Sequence, residues 1–243
     1  QPGVRETAEA GRPAAGGRTM KPYFVDEWAG ISIYHGDCRE VLPSLAKPTV
    51  VVTDPPYGIG YKASHAVNGI AASWAHKEIE GDADSSLRDD VLASLAGSPM
   101  LVFGTWKIPP PLNAHTCLVW DKGPAFGMGD LSIPWKPSWE MIHVIGHGFH
   151  GQRTEGVLRG LTGVSWESAG RAHPNEKPVR LLTMLLQKCP PGLVLDPFAG
   201  SGTTLRAAKD LGRRAIGIEI EEKYCEVAAN RLRQEVLPLA GGE

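Results

Sequence analysis

The sequence is poor in cysteine, and its cysteines are far apart. Four of the 243 residues are cysteines, and no two of them form a C-x-x-C pair. Disulfide frameworks and structural zinc sites both leave closely spaced cysteines in a sequence, so neither is indicated. A reducing cytoplasm is therefore the expected compartment.

Long apolar runs and a strong charge of one sign are also lacking. No apolar run approaches the roughly 20 residues that a membrane-spanning helix needs, and no signal-peptide hydrophobic region is evident. We therefore expect a soluble protein without a membrane partner. The formal net charge of -2 argues against a surface that binds polyanions throughout, although a local basic cleft can still hold nucleic acid.

Residues 1–19 lack large apolar side chains almost completely and are rich in Gly, Ala, Pro, Arg and Glu. Such a composition cannot bury enough surface to order itself. Met20 is the expected natural start, with the preceding residues a disordered tail that is a cloning remnant or translated upstream sequence. The length suits one large domain or two small ones, and we assign residues 20–243 to one domain.

Apolar patterning predicts alternating strands and helices from Gly30 onwards. The continuous apolar runs before Asp54 and Asp196 are typical of parallel strands buried on both faces. An α/β fold with a mostly parallel sheet and helices on both faces follows. Irregular insertions are expected at about 59–85 and 146–172. Further strands are predicted at 31–37, 100–104, 116–120, 140–145 and 215–219, and helices at about 86–95, 181–186 and 224–232.

The stretch LDPFAGSGTT, residues 195–204, joins a predicted strand to a turn through Gly200 and Gly202. Glycines there let backbone N–H groups approach a ligand closely. Similar turns occur in α/β loops that bind no cofactor, and no lysine follows as in a phosphate-binding P-loop. Glu219 ends the next strand, where an acid can accept hydrogen bonds from ribose hydroxyls, although alone it would be read as a surface residue. Together they predict a nucleoside-bearing cofactor, either NAD or S-adenosylmethionine.

The stretch DPPY, residues 54–57, ends a buried strand with an acid, two prolines and an aromatic ring. Ligands of open α/β sheets bind beyond the carboxyl ends of the strands. There, Asp54 can accept one proton of an exocyclic amino group and the Pro55 carbonyl the other. Tyr57 can stack on a base flipped out of a duplex. The alternative is a strand terminator in which Pro-Pro forms a stiff turn.

The combination of motifs resembles the DNA amino methyltransferases, specifically the permuted β group in which DPPY precedes the cofactor motif. The resemblance covers nearly all of residues 20–237. It implies a Rossmann-like S-adenosylmethionine-dependent methyltransferase fold with a mostly parallel seven-stranded sheet. The motifs that carry it are YHGDCREVL (34–42), DPPYG (54–58), LVWDK (118–122), HPNEKP (173–178), DPFAGSGTT (196–204) and IGIEIEEKYCEVAANRL (216–232).

Site residues are implied by the same resemblance. The amino-group pocket would consist of Asp54, Pro55, Pro56 and Tyr57. His173 is either a site residue or a capping or core histidine, and HPNEKP departs from the commoner form with Thr-Gln in its middle, which leaves Asn175 and Glu176 without a role. The implied cofactor residues are Asp37 near the adenine, Glu219 at the ribose, Lys177 and Pro178 beside the methionine moiety, and Asp196, Phe198, Gly200, Gly202 and Thr203 along the turn.

Target recognition is placed by the resemblance in the segment that follows Ile145. Residues 146–180 carry a small basic excess, which is also compatible with a solvated loop. Arginines suit contacts to phosphate and guanine, so a short recognition site is expected there. The basic residues are Arg153, Arg159, Arg171, Lys177 and Arg180, against Glu155, Glu167 and Glu176, so the excess is 5 − 3 = +2.

These observations predict a site-specific methyltransferase that acts on the N6 amino group of adenine in double-stranded DNA. No cysteine adjoins the pocket motif, which argues against ring-carbon methylation of cytosine through a thiolate. The cytosine N4 amino group is the first alternative, since cytosine members more often begin this motif with Ser. An RNA guanine amino methyltransferase and an inactive DNA-binding subunit are further alternatives. A homodimer and a cognate restriction endonuclease are the partners left open.

Overall fold

The computed structural model describes residues 20–58, 84–123, 132, 134–135, 138–161 and 176–234. Strands and helices alternate along much of these segments, apart from two consecutive strands at 24–35 and four at 100–158. The strands are β1 (Phe24–Asp26), β2 (Ile31–His35), β3 (Val50–Thr53), β4 (Met100–Gly104), β5 (Ala114–Asp121), β6 (Trp139–Ile145), β7 (Val157–Leu158), β8 (Val194–Asp196) and β9 (Ala215–Glu219). The helices are α1 (Cys38–Val41), α2 (Ser86–Ser94), α3 (Val179–Leu186), α4 (Thr203–Asp210) and α5 (Glu222–Arg233), with a 3-10 turn at Leu42–Ser44 after α1.

One sheet joins all the strands of the described segments, in the order β1-β2-β9-β8-β3-β4-β6-β5-β7. Five neighbouring pairs are parallel and three are antiparallel, which confirms the mostly parallel sheet. The sheet has nine strands in the part of the chain described, instead of the expected seven. The short strands β1 and β7 were not predicted, and β7 lies in a segment that we expected to be irregular. Three and two residues are too few to show an alternating pattern.

Helices cover both faces of the sheet, because neighbouring residues of the central strands point in opposite directions. In β3, Val50 and Val52 pack into a core with α3, α4 and α5. Val51 packs into a second core with α1 and α2. Within the described segments, no helix has the length and apolar character needed to cross a bilayer.

The C-terminal helix α5 corresponds to the helix predicted at 224–232. Tyr224, Val227 and Arg231 are half-buried. The buried residues of the helix are Cys225, Ala228, Ala229 and Leu232. Small side chains allow α5 to approach the turn before α4, where a Cβ added to Gly202 would lie 2.7 Å from that of Ala228.

Candidate active site at the carboxyl ends of the central strands

Four parallel neighbours, β2, β9, β8 and β3, bring their carboxyl ends to one edge of the sheet. Each strand ends in, or is soon followed by, an acid: Glu219 ends β9 and Asp196 ends β8, while Asp54 follows β3 and Asp37 follows β2. The pairing of Val51 with Leu195 makes β3 and β8 neighbours, as the pocket hypothesis requires. Ligands of open α/β sheets bind at this edge.

The glycine turn after β8 has backbone angles that side chains rarely adopt. Gly200 has φ +52° and Gly202 φ +79°, both in the left-handed region that favours glycine. A Cβ at Gly202 would collide with Ala228, whereas one at Gly200 would have no atom within 4 Å. The turn therefore packs closely against α5 at Gly202 and leaves space beside Gly200.

Glu219 is held by this turn through its carboxylate. Gly200 N–H donates to Oε2 at 2.8 Å, and Glu221 N–H donates to Oε1 at 2.8 Å. Burial raises the pKa of the Glu219 carboxyl, against the lowering effect of these backbone donors. Each carboxylate oxygen has two lone pairs, so both can still accept a ribose hydroxyl. With the open space at Gly200, these residues fit a nucleoside-bearing cofactor.

Asp37 lies next to Glu219 because β2 and β9 are paired. Gly36 N–H donates to the Glu219 carbonyl at 3.0 Å. The Asp37 carboxylate accepts from Arg39 N–H at 2.8 Å and thereby caps α1, and it forms an ion pair with the Arg39 guanidinium at 2.5 Å. Hydrogen bonding by Arg39 lowers the pKa of Asp37. Contact of Asp37 with the cofactor adenine stays a prediction.

Asp196 links two of the strands at this edge. We call the carboxyl ends of β2, β9, β8 and β3, with the turns that follow them, the crevice. It is buried, and its Oδ1 accepts from Thr53 Oγ1 at 2.7 Å and from Phe198 N–H at 3.1 Å. Burial raises the pKa of Asp196 to about 6, although hydrogen bonds from Thr204, Thr53 and Phe198 oppose the shift. The carboxylate thus joins the end of β3 to the start of the glycine turn, and its direct contact with a cofactor stays a prediction.

The Asp54 carboxylate is held by a side chain on each oxygen. Tyr57 Oη donates to Oδ1 at 2.8 Å, and Lys177 Nζ donates to Oδ2 at 2.5 Å. The Asp54 side chain remains 29% exposed, so a ligand in the crevice can reach it. Pro55 is buried, and Pro56 and Tyr57 are half-buried. The acid and the ring of DPPY thus lie together, as the pocket hypothesis expects.

Lys177 lies beside Asp54, which the sequence did not indicate. The resemblance implied a place near the methionine moiety of the cofactor, and that contact stays a prediction. Burial alone would lower the pKa of Lys177, but the carboxylates of Asp54 and Glu140 raise it above its ordinary value. The Lys177 ammonium lies 3.3 Å from Glu140 Oε2, and Lys122 Nζ lies 2.6 Å from Glu140 Oε1.

The segment that contains Lys177 is attached to the glycine turn by Arg231 of α5. Arg231 donates to Glu176 Oε1 at 2.6 Å and to Thr203 Oγ1 at 2.7 Å. Glu176, which had no role by sequence, therefore fixes the approach to α3. Pro178 is buried at the N-terminus of α3. Sequence reasoning also missed Glu140 and Arg231, which lie within an ordinary strand and an ordinary helix.

Several predicted features lie outside the described residues. They are His173, Asn175, the basic residue Arg171 and most of the insertion at 59–85. The expected recognition segment, 146–172, is described through residue 161. Within that part Arg153 is exposed, and Arg159 forms an exposed ion pair with Glu155 at 3.1 Å.

The described sheet and the acids at its carboxyl edge fit an enzyme that binds a nucleoside-bearing cofactor there. Residues 141–230 match a family model described as "DNA methylase". The type II methyltransferase M.ScaI of Streptomyces caespitosus is 28% identical over 271 residues, covering 90% of this chain and 86% of that protein. These matches support a DNA amino methyltransferase.

Solved structures show the same fold. The crystal structure of an M1.HpyAVI–SAM complex has a TM-score of 0.56 and 23% identity, covering 83% of this chain and 99% of that chain. The PvuII DNA methyltransferase, described as cytosine-N4-specific, has a TM-score of 0.56 and 17% identity, covering 86% and 88%. The fold is therefore the Rossmann-like fold of S-adenosylmethionine-dependent methyltransferases, with two short additional strands at the sheet edges.

Proposed function

We propose that the protein is a site-specific DNA methyltransferase that transfers the methyl group of S-adenosyl-L-methionine to the N6 amino group of adenine. The observation that carries this proposal is the Asp54 carboxylate, held by Tyr57 and Lys177 at the edge where β3 adjoins the glycine turn after β8. The family match and the relative M.ScaI support the reaction class.

The glycine turn and the acids beside it hold the cofactor. Glu219 accepts hydrogen bonds from the ribose, and the Gly200 turn leaves room for the nucleoside. Asp37, which lies beside Glu219, would contact the adenine. When bound, S-adenosylmethionine supplies a methyl group made electrophilic by its positive sulfonium.

Asp54 and Tyr57 hold the acceptor base. The ring of Tyr57 stacks on a base turned out of the duplex, while Asp54 accepts a hydrogen bond from the amino group. The nitrogen lone pair would then be directed at the methyl carbon, so that an N–C bond would form as the C–S bond broke, and Asp54 would take up one amino proton. No covalent enzyme intermediate is needed, so positioning supplies most of the acceleration.

Adenine is favoured over cytosine because the pocket motif begins with Asp54, whereas cytosine N4 members of the family more often begin with Ser. The cytosine N4 amino group is the second candidate, and similarity of fold to the cytosine-N4-specific PvuII enzyme supports it. The exposed part of residues 146–161, with Arg153 and Arg159, would contact double-stranded DNA, as part of the expected recognition insertion. A homodimer and an accompanying restriction endonuclease stay predictions.

The experiment is to incubate the purified protein with duplex DNA and isotopically labelled S-adenosylmethionine. The DNA is then digested to nucleosides and analysed by mass spectrometry. We expect labelled N6-methyl-2′-deoxyadenosine. Labelled N4-methylcytosine would support the second candidate instead, and label in RNA but not in DNA would overturn both. Single-molecule sequencing of DNA from cells that express the protein identifies the base and the recognition site together.

A further inference from the structure

Glu140 lies on a strand that carries no residue of the predicted pocket. It is the second residue of β6, which is separated from β3 by β4 alone. Lys177, just before α3, bridges the two positions: its ammonium contacts Asp54 on one side and Glu140 on the other. Phe103 of β4 lies beneath, with its ring centre 5.1 Å from the ammonium.

The charges alternate along this group of side chains. Asp54, Lys177, Glu140 and Lys122 follow one another, with N···O distances of 2.5, 3.3 and 2.6 Å. We call these four residues the ion chain. Lys177 is 8% exposed, Glu140 19% and Asp54 29%, so the ammonium is the most buried of these three groups and Asp54 the most exposed.

A buried ammonium is costly unless neighbouring anions compensate it. If Asp54 were the only anion near Lys177, the ammonium would be free to follow any movement of that partly exposed carboxylate. Glu140 supplies a second, more buried anion, and Lys122 balances Glu140 in turn. Glu140 thereby fixes the position of the Lys177 ammonium. Because that ammonium contacts Asp54 Oδ2, Glu140 also determines where Asp54 Oδ2 lies.

We propose that Glu140 is a positioning residue that acts through Lys177 to orient the Asp54 carboxylate toward the target amino group. The proposal rests on the proposed function, because it assigns Asp54 to the amino group. Glu140 itself lies behind Lys177, and its ion-pair partners are Lys177 and Lys122.

Glu140→Gln is the main variant, since it removes the charge and keeps the shape. A matched control is Asp26→Asn at the opposite edge of the sheet, where Asp26 pairs with Lys209 at 2.7 Å and has 16% exposure. Glu140→Asp, which keeps the charge on a shorter side chain, tests for partial rescue. Melting temperatures are measured for every variant.

Single-turnover transfer of labelled methyl to DNA is the first readout. We expect Glu140→Gln to slow transfer by roughly 10-fold, because a small misplacement of a reacting group is enough for such a loss. The affinity of Glu140→Gln for S-adenosylmethionine should stay within about 2-fold of the parent, because distant sites act independently. For the same reason, the transfer rate of Asp26→Asn should stay within about 2-fold. Glu140→Asp should recover part of the rate.

The pH profile is the second readout, which a role in stability alone would not move. The described titratable groups facing Lys177 are Asp54 and Tyr57 after β3 and Glu140 on β6, with Lys122 beyond Glu140. Removing the Glu140 charge lets burial lower the Lys177 pKa, so Lys177 should lose its proton at lower pH. Nitrogen NMR of labelled lysine measures this without activity, and Lys177→Arg assigns the signal.

The outcomes separate this inference from the proposed function. A parental protein that transfers no methyl to DNA would overturn the proposed function and this role with it. An active parent, together with a Glu140→Gln variant of unchanged rate and unchanged pH profile, would overturn this inference alone. Slower transfer by Glu140→Gln, with the loss of rate at alkaline pH displaced to lower pH, supports this inference.

Discussion

The two sides of the crevice are held by different parts of the chain. On the cofactor side, backbone N–H groups of Gly200 and Glu221 fix the Glu219 carboxylate. On the acceptor side, the side chains of Tyr57 and Lys177 fix the Asp54 carboxylate. The backbone donors are set by the turns that follow β8 and β9, whereas one of the two side-chain donors, Lys177, comes from a segment 123 positions from Asp54. Substitutions can therefore disturb the acceptor side without disturbing the cofactor side.

The largest effect is expected for Asp54→Ala. Loss of the carboxylate should slow methyl transfer by roughly 100-fold or more, the scale on which a positioned acid-base or electrostatic group is felt. Single-turnover transfer of labelled methyl to DNA measures the rate. Transfer at the parental rate would favour the alternative interpretation, in which the DPPY segment only terminates the strand with a stiff turn.

On the cofactor side, Gly202→Ala should act through the backbone and lower the stability of the protein. The new Cβ would meet Ala228 at 2.7 Å in a left-handed backbone conformation, so we expect a loss of about 2 to 4 kcal/mol in the free energy of unfolding. Gly212→Ala is the control, because Gly212 has φ +64° but no atom near its added Cβ. Denaturant unfolding of both variants compares backbone strain alone, in Gly212→Ala, with strain and a steric clash, in Gly202→Ala. Equal losses of unfolding free energy would show that the contact with α5 does not contribute.

Glu219→Ala should weaken cofactor binding. Leaving hydrogen-bonding groups unpaired costs about 1 to 3 kcal/mol, and the Gly200 and Glu221 N–H groups would lose their acceptor as well. Calorimetric titration with S-adenosylmethionine measures the affinity. Unchanged affinity would remove Glu219 from the cofactor site.

Asp196→Asn should stabilise the protein at neutral pH by about 1 to 2 kcal/mol. Burial raises the folded-state pKa of Asp196 to about 6, so ionisation is less favourable in the folded than in the unfolded protein. The resulting penalty is present in full above pH 6 and is relieved as the pH falls toward the ordinary pKa of 3.8. The gain in unfolding free energy should therefore be larger at pH 7.5 than at pH 4.5. A gain of equal size at both would show that ionisation is not its cause.

The smallest effect is expected for Tyr57→Phe. The substitution keeps the ring that stacks on the base but removes the hydrogen bond from Oη to Asp54, which is worth about 0.5 to 1.5 kcal/mol. Transfer should slow by a few fold, while Tyr57→Ala should lose stacking of about 1 to 3 kcal/mol in addition. Equal losses in the two variants would show that the ring itself contributes nothing.

The difference between the two sides also explains what could be read from the sequence. The glycine turn, Glu219 and the strand before Asp54 are local patterns, whereas the adjacency of β3 and β8 was supplied by the structure. The contact between Asp54 and Lys177 joins residues 123 positions apart, and no local pattern records it. Glu140 and Arg231 also act through contacts with residues on other elements, up to 55 positions away. The strands β1 and β7 were missed because they are too short to show a period.

The most direct test of the account measures both sides at once, in Asp54→Ala, Glu219→Ala and the double variant. Each protein is titrated with S-adenosylmethionine and then assayed for single-turnover transfer to DNA at saturating cofactor. We expect Asp54→Ala to bind the cofactor within a few fold of the parent and to lose transfer, and Glu219→Ala to bind weakly but recover transfer at saturation. The double variant should show the Glu219→Ala affinity loss unchanged to within about 0.5 kcal/mol. If Asp54→Ala instead lost cofactor affinity and kept its transfer rate at saturation, the assignment of Asp54 to the acceptor base would be wrong.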